Sequence, residues 1–494
     1  MRRVMLWLDV RRLAVLLLLL ALFAMGLREA YDSDMWWHLA TGRTIVEQRT
    51  IPRHDVFSYT VPEHRWFTHE WLTQVGMYGL YRIGGTAALV VAAAAVVTVT
   101  LALVYVRCVN GLSVRAALRG EGRPFLAIPV VLLGAVASAI TWGPRPQLLN
   151  GLLMALFLLL LARYRRAPSS RATWALPPLI VLWANLHSGF YLGLGLLGVV
   201  LAGDGLARFL GRSGEWTLTP VRWRHLALIL LLCVLASMLN PNGYHMLLYP
   251  FETLGSQAMQ VYIQEWASPD FHRYEYWFFA ALLLGGAAAL ILSRRALDLT
   301  DLFLFLGFGF AGLVSARHIP LFAVAALPVV YRTLDGGGAP ARRTASARRL
   351  GLAVVNWALL LALLAATGMW LSVVLEENRR VEQTRYPTAA LAYVREHGLA
   401  ERRVYNSYNW GGYLVWQGVP VFIDGRADVY GDEFMHEYMW AYWLLGDWRA
   451  PLERYDVDYV LIESGIPFAR LLEEARDWTR VYRDEVAVIF VRDG

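Results

Sequence analysis

A series of long apolar runs is the feature that most constrains how this chain folds. A helix needs about 20 predominantly apolar residues to cross the ~30 Å hydrocarbon core of a bilayer. Eleven apolar runs lie at 12–27, 86–106, 125–142, 147–162, 174–186, 190–209, 226–240, 277–293, 302–316, 319–333 and 351–375. They predict a mainly α-helical, polytopic transmembrane bundle of about eleven spans, in which the 174–186 and 319–333 runs are short.

The charge distribution divides the chain into two parts. Only 17% of the residues are charged, whereas soluble domains carry roughly 25%. Residues 376–494 hold 14 Arg and 21 Asp or Glu, while residues 1–375 are strongly basic. We therefore predict a transmembrane domain over 1–375 and a separate domain over 376–494. The excess of Arg has a membrane explanation, given next, so no nucleic-acid partner is expected.

The placement of arginine predicts the orientation in the membrane, because cytoplasmic loops carry an excess of basic residues. Arg-rich connections alternate with Arg-poor turns, and they lie at 2–12, 107–123, 163–171, 208–224, 294–295 and 332–349. If these connections are cytoplasmic, the N-terminus is inside and the C-terminus is outside the inner membrane of a bacterium. The 28–85 loop, the 240–276 loop and the 376–494 domain then share the outer side.

Polar and aromatic side chains collect at the predicted outer ends of the spans. The span interiors hold almost no ionisable residues, although a coupled transporter usually carries some near mid-bilayer. The outer groups include Asp32, Asp34, Trp37, His38, His69, Glu70, Arg145, His187, Glu265, Asp270, His272 and Arg317. Arg145 and Arg317 stand in otherwise Arg-poor outer turns, so we expect them to bind an anion through the guanidinium fork.

Each of these residues also has a purely structural interpretation. Asp32 and Asp34 fit the cap and first turn of an amphipathic helix over 34–47, and His69-Glu70 fits the cap of a helix over 69–82. The two outer arginines could reach lipid headgroups. Four tryptophans are equally typical of a belt at the membrane surface, namely Trp36, Trp37, Trp66 and Trp71. Their common location on one face favours a shared site.

The C-terminal region alternates helix and strand, which predicts a small α/β domain. Helices are predicted at 388–397, 433–446 and 466–476, and strands at 404–406, 421–423, 459–462, 481–482 and 486–491. The sequence contains no glycine-rich nucleotide fingerprint. Asp424 and Arg426 form either a structural salt bridge or part of a loop that closes over a cavity at the membrane face.

These features together resemble the GT-C class of membrane glycosyltransferases. The resemblance rests on the cytoplasmic N-terminus, one span, an outer loop that opens with the acidic Asp32-Ser33-Asp34, and two short amphipathic helices. An extracytoplasmic C-terminal α/β domain fits the larger members of that class. The strings at 34–43, 69–71, 145–147, 185–189 and 410–414 also resemble a group of bacterial membrane proteins.

The resemblance implies a membrane glycosyltransferase with a polyprenyl-phosphate-linked sugar donor. The sugar would pass to a hydroxyl of a lipid, glycan or protein on the outer face. Asp34 would be the catalytic base, Asp32 would share this work or help to hold a divalent cation (Mg²⁺ or Mn²⁺), and Glu70 is the reserve base. Substrate binding would fall to Arg145, Arg317, His38, His69, His187 and Trp37.

The sequence leaves four questions open. The alternative function is a membrane transporter or a cell-envelope assembly scaffold whose outer loops bind a partner without catalysis. Beyond membrane lipid and the donor, the sequence does not identify the acceptor. The metal requirement and the oligomeric state also stay open.

Overall fold

A computed structural model describes residues 7–30, 32–62, 64–109, 113–167, 170–212, 214, 216–293, 298–336 and 350–493. Parts of the predicted basic connections lie outside these residues, namely Arg2, Arg3, Arg294, Arg295, Arg342, Arg343, Arg348 and Arg349.

Most of the described chain is helical. The α-helices, numbered in chain order, are α1 Val10–Gly26, α2 Ser33–Gln48, α3 Trp71–Cys108, α4 Val114–Leu118, α5 Pro124–Ser138, α6 Leu148–Arg166, α7 Leu176–Leu186, α8 Tyr191–Phe209, α9 Pro220–Ser237, α10 Tyr249–Gly255, α11 Gln257–Tyr262, α12 Trp277–Leu292, α13 Leu299–Val314, α14 Ile319–Asp335, α15 Leu350–Arg385, α16 Thr388–Glu396, α17 Tyr408–Trp416, α18 Ala427–Tyr442, α19 Arg449–Arg454 and α20 Pro467–Glu474. Short 3₁₀ helices lie at Ala139–Thr141, Ala172–Ala175, Ser188–Phe190, Gly243–Leu247, Gln264–Trp266, Tyr274–Tyr276 and Ala316–His318.

The membrane bundle predicted from the apolar runs is confirmed. Each of the eleven runs coincides with one helix, namely α1, α3, α5, α6, α7, α8, α9, α12, α13, α14 and α15. Among the described residues, 7 helices are long and apolar enough to cross a membrane. A continuous apolar core built from residues such as Phe157, Trp183 and Phe322 holds the bundle together. The chain is therefore a multi-pass membrane protein, while the number of spans stays a prediction.

The first loop contains the two predicted helices, but the second is longer than expected. Helix α2 replaces the predicted 34–47, and the predicted 69–82 helix is the start of α3, which continues through the next span. Gly84 and Gly85 interrupt α3 with non-helical backbone angles, and Gly85 has a φ of +60°. Because glycine adopts positive φ at little cost, this pair lets one long helix bend where it leaves the loop.

A four-stranded sheet forms the C-terminal region. Its strands are β1 Val404–Asn406, β2 Tyr459–Glu463, β3 Trp478–Arg483 and β4 Ala487–Arg492, in the order β1-β2-β4-β3. β1 is parallel to β2, and the other two pairs are antiparallel. The predicted small α/β unit and its final hairpin are therefore confirmed. The predicted domain boundary after residue 375 falls inside α15, and the division into two domains stays a prediction.

The prediction of a strand at 421–423 was wrong, because this segment does not join the four-stranded sheet. Val421 instead pairs with the first loop, because its N–H donates to the Phe57 carbonyl (3.1 Å) and its carbonyl accepts from Tyr59 N–H (3.2 Å). The side chain of Asn406 bonds Phe422 N–H and the Ile423 carbonyl. The apolar run thus joins the sheet region to the first loop.

Helix α2 packs directly on α17, and this contact fixes the start of α2 relative to the sheet. A Cβ at Gly412 would collide with the Ser33 carbonyl, so only glycine permits this approach. Trp36 is 2% exposed and meets the rings of Tyr386 and Tyr413 edge-on. The interpretation of Trp36 as a residue of the membrane-surface belt is therefore wrong, because its ring lies in a core shared by α2 and α17.

Candidate active site

A cavity of about 1190 Å³ lies between the helix bundle, the first loop, the 240–276 loop and the sheet region. It brings together eight of the nine residues predicted from the sequence, namely Asp34, Trp37, His38, His69, Glu70, Arg145, His187 and Arg317. The ninth, Asp32, lies behind Arg145 and is 6% exposed. Asp270 and His272 are not among the lining residues, since they bond each other at the surface. Residues from distant parts of the chain thus share one site.

Asp32 and Asp34 have different roles at the start of α2. The Asp32 carboxylate is the N-cap and accepts the backbone N–H of Asp34 (2.9 Å), so the structural interpretation is correct for this residue. Asp34 lies in the first turn, and its carboxylate faces the cavity, where it accepts the indole N–H of Trp37 (3.2 Å). Asp34 is therefore the member of the acidic pair that is open to a substrate.

The two arginines predicted to bind an anion both line the cavity, but only one is tied to carboxylates. Arg145 contacts Asp32 through Nε, donates to Glu265 through Nη1 (2.9 Å), and lies 4.0 Å from Asp34. Arg317 lies over the Trp266 ring, with its guanidinium carbon 4.5 Å from the ring centroid. Among the described residues, no carboxylate pairs with Arg317. Its N–H donors are therefore available to an anion.

The surroundings of Asp34 favour its protonated form. Burial raises the pKa of Asp34 to about 7; the Trp37 N–H opposes the shift, and nearby carboxylates led by Glu265 add to it. The loop at Gly425 closes on this group, since a Cβ there would collide with Asp34 Oδ1. A carboxyl group with this pKa exchanges its proton near neutral pH, which suits a general base.

Glu70 has the opposite electrostatic environment, because three imidazoles surround it. His187 Nε2 lies 3.1 Å from Oε1, His38 Nδ1 lies 3.4 Å from Oε2, and His69 Nε2 lies 3.7 Å from Oε1. Burial alone raises the pKa of Glu70, but His38, His69 and His187 together hold it well below its usual range. Glu70 is thus ionised throughout the neutral range.

The three imidazoles differ in their pKa values, because burial and Glu70 act on them to different extents. Burial lowers the pKa of His187 to about 3 and that of His38 to about 4, so both are neutral at pH 7. His187 Nδ1 accepts the Gly189 N–H (2.8 Å), which leaves its proton on Nε2, facing Glu70. Burial lowers the pKa of His69 too, but Glu70 outweighs this effect and raises it overall. Of the three imidazoles, His69 is therefore the one whose charged form Glu70 favours most.

A second acidic side chain, Asp428, enters the cavity from the sheet region. It accepts a hydrogen bond from the hydroxyl of Tyr249 (3.0 Å), whose ring lies tilted against that of His69 with 4.6 Å between the centroids. Burial raises the pKa of Asp428, and His69 opposes this shift. Asp428 and Tyr249 were not among the residues predicted from the sequence, and Glu265 was named only as one of the polar groups at the outer ends of the spans. The only local signal for Asp428 was its position close to Asp424 and Arg426 in the sequence.

Asp424 and Arg426 form a buried ion pair, as the structural interpretation expected. Arg426 is 1% exposed and donates to both carboxylate oxygens of Asp424 and to Asp55 of the first loop (2.7 Å). Its guanidinium lies over the rings of Phe57 and Trp66. Gly425 also approaches Asp34. The 424–426 segment therefore fits both interpretations: it contains a structural ion pair, and it lies against the cavity. The ion pair holds the loop against the cavity.

The described residues offer little support for a metal ion. Within them, no group of three or more His, Cys, Asp or Glu side chains is arranged to hold one. Asp32, the predicted ligand, contacts Arg145 and caps α2. The divalent cation stays a prediction, and the reaction proposed for this cavity does not require it.

Comparison with known proteins places the fold. No protein-family model and no curated protein sequence matches the chain. Two solved structures cover nearly all of it. ArnT from Cupriavidus metallidurans bound to undecaprenyl phosphate is 14% identical, with a TM-score of 0.52 over 97% of either chain. The Archaeoglobus fulgidus oligosaccharyltransferase tethered to an acceptor peptide is 13% identical, with a TM-score of 0.52 over 99% of this chain and 75% of that one.

These similarities define the class of fold. Both structures are similar to this chain along the helical bundle and the C-terminal region together, at identities far too low to be seen by sequence matching. The chain has the GT-C fold of polytopic membrane glycosyltransferases, as the sequence resemblance predicted. At these identities the comparison establishes the fold, and the activity must be argued from the cavity.

Proposed function

We propose that this protein is a glycosyltransferase that moves a sugar from a polyprenyl-phosphate-linked donor to an acceptor hydroxyl. One observation carries the proposal. A single cavity holds a carboxyl group with a pKa of about 7, Asp34, and a guanidinium without a carboxylate partner among the described residues, Arg317. Glycosyl transfer from a lipid phosphate requires a base for the acceptor and a cation for the leaving group.

The proposed step is a displacement at the anomeric carbon of the donor sugar. The acceptor oxygen forms a new bond to this carbon while the bond from carbon to phosphate oxygen breaks. The bonding electrons leave with the polyprenyl phosphate, and Arg317 stabilises the added negative charge. The Asp34 carboxylate takes the proton of the acceptor hydroxyl. Atoms and charges balance without a further reactant.

The other cavity residues support these two groups. Arg145 neutralises Asp32 and Glu265 and lies near Asp34, so we assign it to positioning the base and to the electrostatic field at the phosphate. Trp37 orients Asp34 through its indole N–H. His38, His69 and His187 fix the Glu70 carboxylate, which can then accept hydrogen bonds from sugar hydroxyls.

A donor-cleavage assay tests the activity without knowledge of the acceptor. Purified protein is incubated with a panel of radiolabelled polyprenyl-phosphate sugars, with water as a slow acceptor and a membrane extract as a source of natural acceptors. We expect release of polyprenyl phosphate with one donor class. No release with any donor, in protein that is monodisperse, would favour the transporter or scaffold alternative.

We also propose that the cavity faces outward from the bacterial inner membrane. The Arg-rich connections of the sequence support this orientation, since cytoplasmic loops carry an excess of basic residues. A C-terminal alkaline phosphatase fusion should be active, and a C-terminal GFP fusion should be dark. A bright GFP fusion would place the cavity in the cytoplasm and reverse the proposed side of the acceptor.

A further inference from the structure

A second, smaller pocket of about 210 Å³ lies outside the cavity, between the first loop and the turn that follows α9. It is lined by Arg53, Arg65, Trp66, Pro241, Asn242 and His245. No Asp or Glu is among these lining residues. The proposed reaction does not use any of them, so their arrangement requires its own explanation.

The two arginines of this pocket have no carboxylate partner among the described residues. Arg53 makes no ion pair there, and Arg65 lies with its guanidinium carbon 4.5 Å from the centroid of the Phe67 ring. Stacking uses the face of the guanidinium and leaves its in-plane N–H donors available. By contrast, the nearby Arg426 is saturated by Asp424 and Asp55. The pocket therefore concentrates positive charge that no carboxylate of the described residues neutralises.

Backbone pairing holds the two arginines side by side. His54 forms an antiparallel bridge with Arg65, and the Trp66 N–H donates to the Arg53 carbonyl (2.8 Å). The Trp66 ring is 3% exposed and lies under the guanidinium of Arg426, which fixes the pocket to the buried ion pair. Arg53 and Arg65 thus belong to two adjacent segments that are paired through their backbones.

The opposite wall is an equally defined turn. Asn240 accepts the N–H of Asn242 through its side chain (2.7 Å), and Gly243 adopts a φ of +56°. This turn presents Pro241, Asn242 and His245 to the arginines. An imidazole carries at least one N–H donor in every protonation state, and an amide side chain carries two. Asn242 Nδ2 already donates to the sulfur of Met246 (3.7 Å), but the guanidinium and imidazole groups that line this space supply N–H donors for the oxygens of an oxyanion.

One layer of aromatic rings separates this pocket from the catalytic cavity. Phe67 stacks under Arg65, and its ring lies 5.8 Å from that of Tyr249. Tyr249 lines the cavity, and its ring lies 4.6 Å from that of His69. The pocket and the catalytic cavity are therefore near neighbours, with the rings of Phe67 and Tyr249 between them.

We propose that this pocket binds an oxyanion group, a phosphate or carboxylate, of the acceptor that receives the sugar. The assignment of the ligand as acceptor rests on the proposed function. Two sources supply this chemistry: the headgroup of an anionic membrane lipid, and a water-soluble phosphorylated or acidic saccharide. Donor phosphate is bound elsewhere, at Arg317, so the two sites separate the two substrates.

Binding to the pocket is measured without catalysis. Wild-type protein in zwitterionic nanodiscs is titrated with glycerol 1-phosphate and, as the neutral probe, glycerol. In parallel, native mass spectrometry counts phosphatidylglycerol and phosphatidylcholine retained by the protein. The test variant is Arg53→Gln with Arg65→Gln, and the matched control is Arg49→Gln, an exposed arginine of the same loop that does not line the pocket.

We expect the double variant to lose affinity for the anionic probe by about tenfold or more, since charge-assisted hydrogen bonds are removed. Arg49→Gln should bind like the wild type. Loss confined to glycerol 1-phosphate identifies a soluble source, and loss confined to phosphatidylglycerol identifies a lipid headgroup. Equal binding by the wild type and the double variant, or no preference for either anionic probe, would overturn the proposal.

A separate readout distinguishes this failure from failure of the proposed function. Stabilisation of the double variant by undecaprenyl phosphate, measured as a shift in Tm, should match that of the wild type. If the wild type itself shows no such shift, the lipid-phosphate donor is in doubt. The result at the Arg53 and Arg65 pocket then still stands by itself.

Discussion

The Asp34 region and the Glu70 region of the cavity each contain a carboxyl group at the start of a loop helix, yet their chemistry differs. Burial raises the pKa of Asp34 to about 7, and nearby carboxylates add to this shift. Glu70 is surrounded by His38, His69 and His187, and its pKa is lowered. Burial acts in the same direction on both groups, so the neighbouring charges decide the outcome.

From this difference we propose different tasks for the two carboxylates. A base must exchange its proton near the working pH, which Asp34 does and Glu70 does not. The ionised Glu70 and its imidazoles form a fixed polar wall, where sugar hydroxyls find acceptors and donors in defined positions. The comparison also explains why Glu70 is a poor reserve base, although its sequence position alone made it a reasonable candidate.

The largest effect should follow removal of the base. Asp34→Asn keeps the shape of the side chain and should reduce turnover by about 10²-fold or more. The measurement is donor cleavage in the assay described above, with the surface variant Asp270→Asn as a control of equal charge change. The folded state raises the pKa of Asp34, so its ionisation weakens folding as pH rises through about 7. The variant should therefore be no less stable than the wild type at pH 8.

Unchanged turnover in purified Asp34→Asn would move the base elsewhere. The next candidate would be Asp32 and then Glu70. Because Asp32 caps α2, a loss of activity in its variant counts only if the Tm is maintained.

The next largest effect should follow substitution of Arg317, the proposed cation for the donor phosphate. Arg317→Lys keeps the charge but cannot make the two parallel hydrogen bonds of a guanidinium. We expect donor affinity to fall by about tenfold, which corresponds to ~1.4 kcal/mol. The measurement is the Tm shift produced by undecaprenyl phosphate. Equal affinity of the wild type and Arg317→Lys would place the donor phosphate away from this residue.

A smaller effect on activity, but a measurable one on stability, is expected for Glu70→Gln. The variant loses the charged partner of three imidazoles and should be destabilised by about 1–3 kcal/mol at pH 7. The folded state lowers the pKa of Glu70, so its contribution is full above the unfolded value of 4.5 and declines as pH falls below it. Thermal unfolding at pH 7 and pH 4 checks the sign. A loss of turnover as large as that of Asp34→Asn would show that Glu70 also acts in the chemical step.

The smallest effect sharpens the comparison at Asp34 itself. Glu265 is the first carboxylate among those that raise the pKa of Asp34. In wild-type protein, kcat/KM should rise with pH through an apparent pKa of about 7, because the base must be ionised. Glu265→Gln should lower the apparent pKa of this rise in kcat/KM by less than about one pH unit. An unchanged apparent pKa would show that another group controls the pH dependence.

The membrane bundle and much of the sheet region were predictable because their signals are local. Each apolar run is long enough to demand a helix in lipid, and the predicted strands at 404–406 and 459–462 form. The 421–423 run shows the limit of this reasoning. An apolar segment must be buried, but whether it joins the sheet or pairs with Phe57 and Tyr59 depends on a loop over 350 positions away in the sequence.

The sequence by itself determined the class of fold and most of the polar residues that line the cavity, since ionisable groups are too costly for the lipid core and collect at span ends. Only the tertiary structure decided which of these groups are neighbours. Folding placed Arg145 against Asp32 and Glu265, left Arg317 without a carboxylate among the described residues, and set Asp34 apart from Glu70. The physical reason is that a pKa or an ion pair depends on charges within a few ångströms, and those neighbours come from distant segments.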